Sequence, residues 1–193
     1  ATHWRLRYGS QYQDRYGYNN GPRSSPIIDS SRGQVYTVGA EGKVHEITLS
    51  SGRVIWRKDL RVDYRVPQEL FGTAARRLID EDRLIINIGA PGGPTVVALD
   101  CSTGEEVWRA GFEWGASYAS PVLAEIHGER RVVVFAGGES SPPSGGVLSV
   151  NPTNGAIDFA FPWRSRTYES VNASCPVVFD DNVLVSACYR TGG

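Results

Sequence analysis

The stretch ALDCSTGEEVWR, residues 98–109, decides the fold because it recurs. ITLSSGRVIWR at 47–57 and SVNPTNGAIDF at 149–159 align with it. In each copy a glycine precedes an aromatic by four positions: Gly52 and Trp56, Gly104 and Trp108, Gly155 and Phe159. A fourth copy shows only its end, Trp4-Arg5, which matches Trp56-Arg57 and Trp108-Arg109. Successive aromatics lie 52, 52 and 51 residues apart. A constant stride of this size marks a chain built from repeated supersecondary units.

Upstream of each glycine the copies agree further. Ser25-Pro26-Ile27-Ile28, Ser120-Pro121-Val122-Leu123 and Ser174-Cys175-Pro176-Val177-Val178 open three units, and Arg76-Arg77-Leu78-Ile79 stands at the equivalent place in another. A polar turn and a second apolar run follow, at 34–38, 83–88, 131–136 and 183–187; a third run at 44–49, 95–99 and 147–150 leads into the glycine turn. Runs this short, rich in β-branched and aromatic residues, suit pleated strands and not three turns of helix, and no stretch carries a convincing helix. Each unit therefore holds four antiparallel strands, and the fold class is all-β. A four-stranded meander repeated about every 50 residues fits a β-propeller blade, since one small sheet cannot bury both faces alone.

The expected layout is an outer strand near 4–8, blades at 24–60, 73–111 and 118–161, and a partial blade at 172–193. That is about three full blades plus parts of two, an incomplete propeller. A four-bladed ring completed by the Trp4 strand would still lack a third strand in its last blade. The glycine permits positive φ in the turn between third and fourth strands, and Asn154-Gly155 is a strong hairpin signal. The aromatic four residues later is read as a wedge filling the gap between adjacent blades, with ligand stacking as the alternative.

Together with the SSP-II and SP-VL openings and the AEGKV hairpin at 40–44, the ALDCSTGEEVW segment resembles the pyrroloquinoline quinone (PQQ) repeat. That repeat builds quinoprotein alcohol dehydrogenases and related noncatalytic propellers, including an outer-membrane assembly lipoprotein. The resemblance spans nearly the whole chain and is most specific over 97–108. Phe159 in place of tryptophan, and the missing Ser-Pro opening before Leu78, depart from it. It implies a propeller that usually closes with seven or eight blades, so a fragment is expected, and an extracytoplasmic or periplasmic address. The sequence begins at Ala1 and contains no methionine, so any export signal lies outside what can be read.

Composition sets the outer limits. The 193 residues carry 20 Lys+Arg against 21 Asp+Glu, with 40% apolar and 10% aromatic content, which describes a neutral, core-forming chain. Near-zero net charge removes the long-range attraction that nucleic-acid binding needs, and Glu129-Arg130-Arg131 and Arg164-Ser165-Arg166 read as solvated turns. No apolar run approaches the roughly 18 residues of a membrane-spanning helix. Gly89 to Pro94 and Gly137 to Gly146 read as long hairpin connections and not phosphate loops, because neither carries Lys-Ser/Thr or leads into a helix.

Loops joining the outer strand of one blade to the inner strand of the next should line one face. They read YGYNNGPR (16–23), VDYRVPQELFG (62–72), EWGASYAS (113–120) and RTYESVNAS (166–174). Their aromatic, amide and charged residues suit a polar ligand or a peptide, with Tyr18, Asn19, Asn20, Arg23, Gln68, Tyr118, Glu169 and Asn172 as candidates. The alternative is that the asparagines satisfy turn backbone and the tyrosines cover blade edges.

A quinoprotein dehydrogenase would need a divalent metal held by several oxygens, a carboxylate base and an aromatic floor beneath the quinone. Glu169 and Asn172 could supply two oxygens, yet the vicinal cysteine pair found in many members is absent and spacing assigns no base. No catalytic residue and no metal ligand is therefore named. The three cysteines and the scattered His3, His45 and His127 show no zinc spacing. If Asp181-Asn182 forms a two-residue turn, Cys175 faces Cys188, which leaves a cross-strand disulfide open against buried thiols.

The functional expectation is a noncatalytic PQQ-like propeller module binding a protein partner or a small polar ligand, with no cofactor. One alternative is a fragment of a PQQ-dependent alcohol or sugar oxidoreductase, which would take PQQ and calcium. A second is a carbohydrate- or peptide-binding propeller.

Overall fold

The structure, a computed structural model, describes residues 2–14, 17, 20–22, 24–67, 77–112, 114–138, 140, 142–167 and 170–193. Its contacts divide into two compact units: Ala1–Ala74 with Cys101–Gly104, and Ala75–Asp100 with Glu105–Gly193.

In the first unit an antiparallel meander runs β1 (Ile27–Asp29), β2 (Gln34–Val38), β3 (Lys43–Thr48) and β4 (Val54–Asp59). Pro26 sits just ahead of β1, where a missing N–H breaks no ladder. The β1–β2 turn is held by Asp29, whose carboxylate accepts from the Ser31 N–H and hydroxyl and from the Arg32 N–H and guanidinium. The β3–β4 turn closes with Gly52 N–H donating to Thr48 O at 2.9 Å, Gly52 standing at φ +73°. A short helix, α1 (Leu60–Tyr64), follows β4; the sequence reading expected none. Asp59 caps it by accepting from Arg61 N–H, and Arg65 ends it in the left-handed region.

The second unit contains two four-stranded antiparallel sheets and a hairpin. The sheets are β5 (Arg77–Asp80), β6 (Arg83–Asn87), β7 (Val96–Asp100), β8 (Glu106–Ala110), and β9 (Val122–Ile126), β10 (Glu129–Ala136), β11 (Gly146–Val150), β12 (Ile157–Pro162). The hairpin is β13 (Val177–Phe179) with β14 (Asn182–Leu184). Ile85, Val96 and Ala98 pack against Val132, Val134 and Leu148 in one core; Val133, Phe135 and Val147 pack towards Val178 and Val183 in the next. The β10 and β11 sheet thus buries apolar side chains on both faces, each worth about 1.5–3 kcal/mol when fully removed from water. This is blade-on-blade stacking.

The periodic aromatics join the units' parts by one recurring contact. Trp4 Nε1 donates to Leu49 O at 2.7 Å, Trp56 Nε1 to Cys101 O at 2.9 Å, and Trp108 Nε1 to Pro152 O at 3.0 Å. Each acceptor lies three residues before a repeat glycine. A Cβ on Gly52, Gly104 or Gly155 would lie 2.7, 2.8 and 2.7 Å from the respective indole. Each glycine thus serves twice, by its positive φ and by the room it leaves for the preceding copy's ring. Phe159, at the fourth such place, is 36% exposed where Trp108 is 6%.

Two expectations are corrected. Residues 4–8 form no strand, because no described residue provides a ladder partner; only the Trp4 wedge of that copy is formed. The β13–β14 turn is Asp180-Asp181, with Phe179 opposite Asn182 and Asp180 at φ +48°. Continuing that register sets Cys175 across from Ser186 and not Cys188, and both cysteines stand as thiols, so the disulfide is not formed. Ser186 instead meets Ser174, whose hydroxyl donates to Ser186 O at 2.5 Å.

Candidate functional site

In the second unit the structure brings two of the expected loops together. Tyr118 N–H donates to Asn172 O at 3.0 Å, and Asn172 N–H donates to Gly137 O at 3.0 Å. The Asn172 amide donates to Ala136 O at 2.8 Å, extending the link to the end of β10. Gly137 N–H returns to Gly115 O at 2.9 Å. Beside this chain, Ser117 Oγ donates to Phe135 O at 2.6 Å and accepts from the Asn87 amide at 3.1 Å. Asn87 and Asn172 are fully buried, and the Oδ1 of each has no hydrogen-bond partner among the described residues. Arg164 closes the far side, donating from Nε to Ser170 O at 3.0 Å and from its guanidinium to Ser140 Oγ at 3.1 Å.

The loops can approach the sheets this closely because of a second glycine series that the sequence reading passed over. A Cβ on Gly89 would lie 1.8 Å from Ala116 N, one on Gly137 2.8 Å from the Asn172 amide nitrogen, and one on Gly39 3.0 Å from the Tyr8 hydroxyl. Gly39, Gly89 and Gly137 stand 50 and 48 residues apart, each just after the second apolar run of its copy. The period that exposed the tryptophans would have exposed them too.

In the first unit the expected residues are less informative. Asn20 Oδ1 accepts from Asp14 N–H at 2.8 Å, a turn-satisfying role. Tyr18, Asn19, Arg23, Gln68 and Glu169 lie outside the described residues. Of the two oxygens considered for a metal, only Asn172 can therefore be placed. Among the described residues no three His, Cys, Asp or Glu side chains gather as a metal site.

The prominent polar centre of this unit is Glu41, on the β2–β3 hairpin and only 3% exposed. Lys43 Nζ lies 2.9 Å from its carboxylate, Gln11 N–H donates to it at 2.8 Å, and the Arg61 guanidinium stands at 3.4 Å. Burial pushes the Glu41 carboxyl upward, but Lys43, Gln11 and Ser10 together hold it below its ordinary range. Glu41 and Lys43 border cavities of about 460 and 730 Å³, the first walled by Leu6 and Pro22 and the second by Arg61 and Arg65. Both residues lie in the AEGKV hairpin, where the resemblance gave them no role beyond the turn.

A family model described as outer membrane protein assembly factor BamB, built on PQQ repeats, matches residues 1–191. No curated protein sequence matches the chain. Among solved structures, BamB from Moraxella catarrhalis is similar over 86% of this chain and 46% of its own, at 16% identity and a TM-score of 0.59. Quinohemoprotein alcohol dehydrogenase from Comamonas testosteroni is similar over 75% of this chain and 21% of its own, at 20% identity and 0.58. The computationally designed Ika4 protein is similar over 92% of this chain and 90% of its own, at 14% identity and 0.58. The chain therefore spans about a fifth of the matched dehydrogenase and just under half of the matched BamB. At these identities the structural likenesses speak for the fold, and the family match speaks for descent: the chain belongs to the BamB-like family of PQQ-repeat β-propeller proteins.

Proposed function

We propose that the chain is a noncatalytic PQQ-like propeller module that binds a protein partner outside the cytoplasm. The carrying observation is the match over residues 1–191 to a family described by its part in outer-membrane protein assembly. The loop chemistry supports the reading. Asn172 and Ser117 commit their donors to the carbonyls of Ala136 and Phe135, which rigidifies the loops as a display surface. Buried polar groups fixed in this way hold a loop's shape. In this reading neither PQQ nor calcium is required, and no helix among the described residues is long and apolar enough to cross a membrane.

Photocrosslinking in cells producing the full-length parent tests the proposal, with a photoreactive residue at Val62, which is 75% exposed, and at Phe112, which is 46% exposed. A discrete adduct with an envelope protein that engages nascent outer-membrane barrels is expected. No heterologous adduct from either position would contradict it. The dehydrogenase reading is tested separately by adding PQQ and calcium to the full-length parent. Dye-linked oxidation of an alcohol or sugar would replace the binding reading with a catalytic one.

A further inference from the structure

The first unit departs from the repeat in β3, at Glu46 and at His45. Across from its wedge tryptophan, β3 pairs Glu46 with Trp56 and, one step on, His45 with Arg57. The corresponding pairs in the other sheets are Ala98 with Trp108 and Val97 with Arg109, then Ser149 with Phe159 and Leu148 with Ala160. Where the other copies place a buried Val97 or Leu148, this one places a histidine that is itself 6% exposed. Packing alone asks for an apolar residue there, and a buried polar group needs a compensating partner.

Nothing among the described residues supplies that partner to the His45 Nδ1. Side chains on one face of a sheet alternate with the other, so Lys43, His45, Arg57 and Asp59 share a face, with Thr37 directly across β2 from His45. The Thr37 hydroxyl is also buried without a hydrogen bond. Tyr8 covers the imidazole, with ring centroids 4.5 Å apart. Beside it a cavity of about 400 Å³ is bordered by Tyr8, Lys43, His45, Arg57, Lys58 and Asp59. Lys43 is paired with Glu41 at 2.9 Å and Lys58 with Asp63 at 3.3 Å, whereas Arg57 is exposed and has no ion pair among the described residues.

We propose that Arg57, His45 and Lys43 bind a small oxyanion, a carboxylate or a phosphate, in this cavity. The guanidinium offers a fork of donors, the lysine retains donor capacity beyond Glu41 and Gly9 O, and the imidazole supplies the site's proton-dependent donor. The imidazole is held below its ordinary range, first by burial and then by Arg57 and Lys43. An anion reverses the local field, so binding takes up a proton at His45 and tightens as pH falls. The charged groups facing His45 are Arg57 and Asp59 from β4, Lys43 from its own strand with Glu41 behind it, and Lys58 at the cavity edge. This site is independent of whether the module has a protein partner.

The test uses the imidazole NMR signals, of which the protein has three, from His3, His45 and His127. Sodium acetate and inorganic phosphate are titrated separately near pH 6, with ionic strength held constant by chloride. The expected result is a saturable shift of His45 and a rise in its protonation midpoint, with His3 and His127 unmoved. A response to acetate identifies a carboxylate site and a response to phosphate a phosphate site. Arg57→Gln, at an exposed position that leaves the fold intact by near-UV dichroism, should weaken the response about tenfold. His45→Leu, which installs the residue of another copy, should abolish phosphate or acetate heat by calorimetry. A His45 signal insensitive to both anions, a shift no different from that of His3, or an unchanged response in Arg57→Gln would each overturn the proposal.

Discussion

Gly104 and Gly155 each satisfy two demands, so their replacement should cost more than either demand alone. Alanine at Gly155 would have to adopt φ near +72° while its Cβ meets the Trp108 ring at 2.7 Å. The left-handed strain and the overpacking together predict a loss of about 2–4 kcal/mol, read as a lower urea midpoint. Trp108→Phe keeps one aromatic ring but removes the five-membered ring whose N–H reaches Pro152 O, and should cost about 1–3 kcal/mol. Asp29 gives a residue-scale pH dependence. The Ser31 hydroxyl, then the Arg32 guanidinium and N–H working against a push from burial, hold its carboxyl down at about 2. Because the unfolded carboxyl titrates near 3.8, this stability is present above that value and lost as pH falls towards 2. Asp29→Asn should therefore be less stable than the parent at pH 6 by about 1 kcal/mol after allowance for solvent screening, with most of the difference gone at pH 2. Urea titrations at the two pH values measure it.

At the scale of elements, the third strands decide what is uniform and what is particular. In β7 and β11 nearly every position is apolar and buried, as a strand covered on both faces requires, and both are legible as strands from those runs. In β3 the run 44–49 was legible too, but the meaning of His45 was not, because one polar residue in a strand reads equally as surface or as site. Only the register, setting it opposite Arg57 and equivalent to Val97 and Leu148, separates those cases. The native imidazole resists protonation while the unfolded one titrates near 6.5, so the unfolded state binds the extra proton and stability falls as pH drops below about 6.5. His45→Leu should remove that slope between pH 8 and 5.5 in urea unfolding. The loops behave differently. Asn172 was legible as important from its amide-rich loop, yet its buried link to Ala136 depends on Gly137, 35 residues away in sequence, which local pattern does not reveal. Asn172→Ala should cost about 1–3 kcal/mol by exposing the Ala136 carbonyl to an unfilled space.

For the molecule as a whole, the constant stride carried most of the fold. Glycine and tryptophan four apart, recurring every 52 residues, fixed the blade, the third-to-fourth strand turn and the wedge. The same stride misled at both outer copies. The stride predicts a strand around Trp4, but a strand needs a neighbour and a wedge needs only a glycine to sit on. The β13–β14 register differs from the expected one because Asp180, Asp181 and Asn182 are all turn residues, so a two-residue turn fits at 180–181 as well as at 181–182.

Each copy's indole locks onto the glycine turn of the copy after it. Hydrogen–deuterium exchange of the five tryptophan indole N–H groups, followed by NMR, tests it most directly. Slowed exchange is expected at Trp4, Trp56 and Trp108, with protection increasing from the partly exposed Trp4 to the buried Trp108 and Gly155→Val releasing Trp108 alone. Fast exchange at Trp56 and Trp108, or a Trp108 signal indifferent to Gly155→Val, would contradict it.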